Sequence, residues 1–203
     1  MKYFIVTSLL VITIFIAASC GRSCIEAQYN FNMQEVFYPE KDSVLVGDTI
    51  FMESSHSTFF NDTLTNKLID FSESDIGGSL RLLRFPDTST SPIGGINDFE
   101  ILILNGKALG NDNIPAENKG FYFEEANNNY TLKLGFIAKQ KGIYGISLAN
   151  SIGIVKRKNS CEKANITILN GNNNNHLYFY QNWRPGYLIS EYERTHIYYI
   201  KVQ

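Results

Sequence analysis

The sequence predicts an all-β fold, an antiparallel β-sandwich with one short helix near the C-terminus. Three observations predict it. Short runs rich in Val, Ile, Leu, Phe, Tyr and Thr recur from Tyr29 to Val202, the composition of strands. Clusters of Gly, Asn, Asp, Ser and Pro separate these runs, which is turn and loop chemistry. With 44% hydrophobic and 13% aromatic residues, the chain can bury a full core rather than stay disordered.

The N-terminus has a different character. Lys2 is the only charge before Arg22, and residues 3–18 are apolar. One basic residue, an apolar run and small residues before a cut site make a secretory signal peptide. The run ends in Ala17-Ala18-Ser19-Cys20. Small residues directly before a cysteine resemble the bacterial lipobox, which implies diacylglycerol on the Cys20 thiol and cleavage before it. Ala17 departs from the usual Leu of that motif. Plain secretion and an uncleaved anchor are the alternatives, but the run sits at the short edge of the roughly 17–25 residues a spanning helix needs. No later apolar run approaches that length.

The expected organisation is a signal peptide over 1–19, a lipidated cysteine and short tether over 20–28, and a single ectodomain over 29–203. Gly21 rather than Asp follows Cys20, and no acidic cluster comes after it. By resemblance to Gram-negative lipoproteins, this implies the outer membrane and its periplasmic face. Removing residues 1–19 takes away Lys2 alone, leaving 17 basic against 20 acidic residues. No basic stripe can follow a phosphate backbone, which argues against nucleic acid. Cys24 and Cys161 remain once Cys20 is acylated. A disulfide between them suits an oxidising compartment, and two separate thiols are the alternative.

The first strand is expected at Tyr29–Gln34, where apolar and polar residues alternate strictly. Next comes Ser43–Glu53, interrupted by the turn pair Gly47-Asp48. Its Val44-Leu45-Val46-Gly47-Asp48-Thr49-Ile50 stretch resembles the opening strands of bacterial immunoglobulin-like domains, which implies an immunoglobulin-like or related sandwich. Residues 54–78 read as polar and irregular. Ser79–Phe85 is a strand stopped by Pro86, and 86–97 is a loop. Asp98–Leu104 is a strand closed by the tight-turn pair Asn105-Gly106.

Gly120–Glu124 and Tyr130–Ile137 flank Asn127-Asn128-Asn129 and read as a hairpin. Lys141–Leu148 is a strand with Tyr144, Ile146 and Leu148 on one face. Gly142-Ile143-Tyr144 resembles the approach to a late strand in immunoglobulin-type sandwiches, where a tyrosine closes a corner. Ala164–Leu169 is a strand, His176–Asn182 a short helix capped by Asn175, and Thr195–Val202 the last strand.

The sequence carries few residues in patterns that point to chemistry. No Gly-x-Ser-x-Gly elbow occurs. His56, His176 and His196 each lie in settings where a solvated or hydrogen-bonded imidazole is the usual outcome. Glu124 and Glu125 are adjacent and would point apart on a strand, while Glu191 and Glu193 would share a face if extended. Residues 110–113 and 170–175 lack the spaced acids of a calcium loop and read as solvated. No metal or cofactor is expected. Asp42-Ser43-Val44, Asp48-Thr49-Ile50 and Asp62-Thr63-Leu64 resemble the O-glycosylation acceptor of some Gram-negative groups.

Rings concentrate near the C-terminus: Tyr178, Phe179, Tyr180, Trp183, Tyr187, Tyr192, Tyr198 and Tyr199. Packing in the core and at its rim accounts for most such rings. Trp183 and Tyr187 flank the turn pair Pro185-Gly186 and form the candidate binding patch. The chain as a whole resembles the small lipoproteins of Gram-negative bacteria. The expected function is a non-catalytic binding or structural one, with an envelope protein or glycan as partner. The alternative is a hydrolase-type enzyme whose residues converge only in the fold. The anchor is directly testable: Cys20→Ser should abolish labelling of the chain by radioactive palmitate and block its lipoprotein-type processing.

Overall fold

The computed structural model describes residues 27–110, 118–149, 154–158 and 160–203. Cys20, Cys24 and the expected cleavage site lie outside these residues.

Two sheets pack face to face as a β-sandwich. Sheet I contains β1 (Gln28–Tyr38), β3 (Thr49–Ser57), β8 (Phe99–Asn105), β11 (Glu124–Ala126), β12 (Asn129–Ala138), β14 (Val155–Lys156) and β15 (Lys163–Asn170). Its order is β11-β12-β3-β1-β15-β14, with β8 also paired to β12. Sheet II contains β2 (Ser43–Val44), β6 (Gly77–Phe85), β7 (Ile93–Gly94), β9 (Lys107–Ala108), β10 (Asn118–Tyr122), β13 (Gly142–Ala149) and β16 (Tyr198–Val202). Its order is β2-β16-β13-β6-β10-β9, with β7 on β6. A separate hairpin joins β4 (Phe59–Asn61) to β5 (Leu68–Asp70).

Period-two alternation builds the core between the sheets. Phe31, Met33 and Phe37 of β1, Leu132, Leu134 and Phe136 of β12, and Ile166 and Ile168 of β15 point inward from sheet I. Leu80 and Leu82 of β6, Tyr144, Ile146 and Leu148 of β13, and Tyr198 and Ile200 of β16 meet them from sheet II. Burying each such side chain contributes roughly 1.5–3 kcal/mol. Phe37 and Tyr198 stack across the sandwich with centroids 4.6 Å apart.

The all-β sandwich agrees with the sequence, but several elements differ from expectation. β1 runs on to Tyr38, well past Gln34. Its first eight residues pair with β15 in parallel, and its last three pair with β3 antiparallel. β2 and β16 also pair in parallel, so the sheets are not purely antiparallel. Residues 54–78 are not irregular, because β3 extends to Ser57 and the β4–β5 hairpin follows.

The expected hairpin of 120–124 with 130–137 is also corrected. β10 belongs to sheet II on β6, and the hairpin is β11 with β12. Its tip is Asn127-Asn128 with φ of 51° and 59°, the backbone of a tight hairpin turn. Asn105-Gly106 is a turn, but it carries the chain from β8 in sheet I to β9 in sheet II. Gly106 has φ +96°, and a Cβ there would lie 2.6 Å from Leu132 Cδ1 and 2.7 Å from the Tyr122 carbonyl oxygen. No other residue fits such a conformation against backbone.

Tyr144 does close a corner. Its hydroxyl sits 3.1 Å from the Gln140 carbonyl oxygen, four residues upstream, and 3.0 Å from Asp98 Oδ2. Asp98 also pairs with Arg84 at 3.5 Å. Two loops at the same end of the sandwich are thereby fastened to β13.

One inward position of β1 is not apolar. Glu35 follows Met33 in the buried series and is fully buried. Its two carboxyl oxygens lie 3.1 and 3.3 Å from the Leu148 amide nitrogen, across the sandwich. Leu148 stands two residues beyond the last β13–β16 pair, Ile146 with Tyr198. The Glu35 side chain thus occupies the place where β16 has run out. Burial pushes its pKa up to about 8, against the opposing pull of the Leu148 N–H. The unfolded chain ionises near the ordinary glutamate value, so between about pH 4.5 and 8 the folded form holds the extra proton. Stability is therefore highest below that window and falls as pH rises through it. Thermal melting from pH 5 to 8.5 should show the wild-type midpoint falling relative to Glu35→Gln, whose side chain does not titrate. Parallel curves for the two proteins would refute the assignment.

Candidate functional site

The segment 171–197 leaves β15, crosses the outer face of sheet II and returns as β16. It contains α1 (Tyr178–Trp183) and α2 (Glu191–Thr195). The expected helix at 176–182 is thus found slightly later. Helices this short are unstable alone and need tertiary packing. Asn175 stands just ahead of α1, where its Oδ1 accepts the Leu177 amide at 3.3 Å, and its Nδ2 donates to the Arg194 and Ile197 carbonyls at 2.8 and 3.1 Å, tying the start of the segment to its end. α2 corrects the idea of Glu191 and Glu193 on an extended face. Ser190 and Glu193 form a reciprocal capping box at its N-terminus.

This segment builds a second small core on the outside of sheet II. Phe85, Tyr180, Ile197 and Tyr199 are buried there, with Leu83, Ile143, Leu177, Phe179, Trp183 and Tyr192 packed around them. Burial pushes the Tyr180 phenol up to about 12, and Glu193 pushes it the same way. Gly145 lies beneath this core, where a Cβ would approach Ile197 Cγ2 to 2.9 Å.

Trp183 belongs to this core rather than to an open surface. Its ring packs on Phe85 at 5.0 Å and on Tyr180 at 5.8 Å, and its Nε1 donates to the Pro86 carbonyl at 2.9 Å. Tyr187 is different, being 46% exposed, with Leu188 beside it 90% exposed. The Arg184 guanidinium lies 3.9 Å over the Tyr187 ring, a cation–π contact. Pro185 and Gly186 are exposed between them, and Gly186 has φ +78°. The corner expected from the sequence exists, but its exposed groups are Tyr187 and Leu188. A run of polar and apolar residues without periodicity gave no signal for Leu188.

Next to this segment is an open cleft of about 700 Å³ at the end of β6 and the start of β13. Arg84, Asp87, Thr88, Lys141 and Lys201 are among its lining residues. Arg84 is held by Asp98 and by the Lys141 carbonyl, which its Nη2 reaches at 3.2 Å. Lys141 and Lys201 are exposed at the rim. A smaller recess of about 320 Å³ shares Asp87 and Thr88 with the cleft and reaches Asn182 and Trp183.

The histidines are satisfied by neighbours. His56 stacks on Phe60 at 4.2 Å. His176 is buried, with Nδ1 3.0 Å from the Tyr199 carbonyl. His196 stacks on Tyr192 at 4.6 Å, and burial lowers its pKa. Its Nδ1 is 2.7 Å from Thr195 Oγ1, but that hydroxyl also bonds the Glu191 carbonyl. None of the three lines the cleft. Glu125 accepts the Glu73 amide at 3.0 Å with both oxygens, at the opposite end of the molecule. No group of three metal-binding side chains occurs among the described residues.

Of the glycosylation-like triplets, Ser43 bonds Asp42 and Thr49 is half-buried in β3. Thr63 is exposed in the β4–β5 loop. Residues 111–113 of the first candidate calcium loop fall outside the described residues. Asn170 and Asn172 of the second bind backbone and each other, Asn172 bridging both polar groups of Phe37. Cys161 is disulfide-bonded. Its partner lies outside the described residues, and the chain's other cysteines are Cys20 and Cys24.

No family model matches the chain, and no curated protein matches it. Among solved structures, the human F-spondin reeler domain matches with TM-score 0.32 and 12% identity, covering 73% of this chain and 91% of that one. A type II cohesin–X-dockerin complex from Acetivibrio cellulolyticus matches with TM-score 0.34 and 12% identity, over 69% and 95% of the two chains. The second type II cohesin module of the adaptor scaffoldin ScaA from the same organism matches with TM-score 0.30 and 11% identity, over 71% and 95%.

The two candidate patch residues should separate by experiment. Trp183→Ala should lower the melting temperature, at a cost of roughly 2–3 kcal/mol for a half-buried, hydrogen-bonded ring. Tyr187→Ala should leave the melting temperature almost unchanged. Thermal denaturation of the two variants checks both.

Proposed function

We propose that this protein is a lipid-anchored outer-membrane protein of the periplasmic face whose β-sandwich binds a partner protein without catalysing a reaction. The observation that carries this reading is the position of the exposed Tyr187–Leu188 corner. It lies on the segment fastened to the far end of the sandwich, through Trp183 to Pro86 and through Tyr178 to Asp42. The chain enters the fold at the other end, at the start of β1. A tether there turns the corner and the neighbouring cleft away from the membrane.

A protein fits the corner better than a glycan. Sugar rings stack on open aromatic faces, but Arg184 covers a face of Tyr187, and Trp183 is packed on Phe85 and Tyr180. An almost fully exposed leucine beside a tyrosine and an arginine matches the makeup of protein contact sites. The lysines at the cleft rim would steer an acidic partner.

Photo-crosslinking in cells tests the reading. A photoreactive residue in place of Leu188 in the lipidated chain should give one discrete adduct with an envelope protein. The same residue in place of Glu100, exposed on β8, should give none. The absence of an adduct at position 188, or an identical pattern at both positions, would refute it.

A further inference from the structure

We infer that the β4–β5 loop is a membrane-contacting tip, seated on the lipid headgroups beside the anchor. The inference rests on the lipid anchor proposed above. Its basis is where the chain enters the fold and how little chain precedes that point.

The described chain begins at Ala27, seven residues after Cys20. Fully extended, such a segment spans at most about 25 Å. With Cys20 acylated, Cys24 is the partner left for the disulfide of Cys161. Cys161 sits two residues before β15, which begins opposite Gln28, the first residue of β1. The lipid would then be only four residues from a fixed point on the domain, about 14 Å of chain. This end of the sandwich is therefore held at the bilayer surface.

The loop that occupies this end is built against the entering strand. Asp62 is buried, and its carboxylate accepts the Asn30 amide at 2.9 Å, the Thr65 amide at 3.0 Å and the Thr65 hydroxyl at 2.6 Å. The Thr63 amide donates back to the Asn30 carbonyl at 2.8 Å. Hydrogen bonding holds the Asp62 carboxyl below the usual carboxylate range. The loop is thus fixed to the third residue of the strand that carries the anchor.

It exposes three large apolar side chains, and the one acid on that face, Asp70 opposite Phe59, is paired with Arg157 at 3.6 Å. Leu64 is 75% exposed, Leu68 64% and Phe59 45%. Residues 63–68 contain no acid and one exposed cation, Lys67. Large apolar side chains beside a lysine, held rigidly at the level of the headgroups, suit shallow insertion into the lipid surface. In water the same residues would be an unsupported apolar protrusion.

The test uses the lipidated chain in vesicles of phosphatidylethanolamine and phosphatidylglycerol whose acyl chains are brominated near the headgroup. The wild-type chain has one tryptophan, Trp183, at the far end. Its emission should be the same in brominated and plain vesicles. Leu64→Trp places a second indole on the tip at a position too exposed to disturb folding. That indole should lose emission in the brominated vesicles. A variant that floats with the vesicles yet shows equal emission in both overturns the tip and leaves the anchor standing. A chain that neither takes up palmitate nor floats overturns the anchor, and the tip with it.

Discussion

The structure depends on the pairing of β1. Its first eight residues lie parallel to β15, and its last three cross to β3. Without that strand, sheet I would fall into two pieces, β14–β15 and the group around β12. The same strand lays Phe31, Met33 and Phe37 into the core. It also delivers Glu35 to Leu148, where the sandwich needs an acceptor and β16 no longer supplies one. Just past the end of β15, Asn172 holds both polar groups of Phe37 in β1, which fixes the start of the segment that crosses sheet II. Parallel pairing is costly in chain length because the ends must be joined by a long connection. Here almost the whole domain is that connection, β2 to β14 lying between the two paired strands.

The seam gives the molecule two unlike ends. Where β1 starts, the Asp62 loop, the β15 entry and the Cys161 disulfide gather. Where β6 ends and β13 begins, the cleft, the second core and the Tyr187–Leu188 corner gather. The proposed anchor and the proposed partner site therefore need no long linker to keep apart. The length of the sandwich separates them. Glu35 belongs to the same economy: a buried carboxyl costs stability as the pH rises, and it is retained where an amide would otherwise be left bare.

Local signals in the sequence were legible where the physics is local. The Asn127-Asn128 tip, the Gly47-Asp48 turn and the Tyr144 corner are each decided by a few neighbouring residues, and each lies where the sequence puts it. The Ser190 capping box is equally local, yet the sequence led to no helix at 191–195, where Glu191 and Glu193 were expected on an extended face. Identical local signals served different global ends elsewhere. Asn105-Gly106 makes a turn, yet the strands on either side belong to different sheets. Glu35 reads as one more polar residue after Gln34, because the alternation does not show that the phase passes through it. Leu188 stands beside Ile189 with nothing to tell the exposed residue from the half-buried one.

By itself, the sequence determined the all-β class, most strand positions, the alternation of β1 and the inward face of β13, since alternation and turn chemistry act over a few residues. Only the tertiary structure decided which strands pair. It alone made β1 and β15 neighbours across more than a hundred residues, put Trp183 under Pro86, and left Tyr187 and Leu188 in the open. The reason is that hydrophobic periodicity fixes which face of a strand is buried but carries no label for the partner that buries it. Partners are chosen by the fit of the whole core, and the exposed surface is what that choice leaves over.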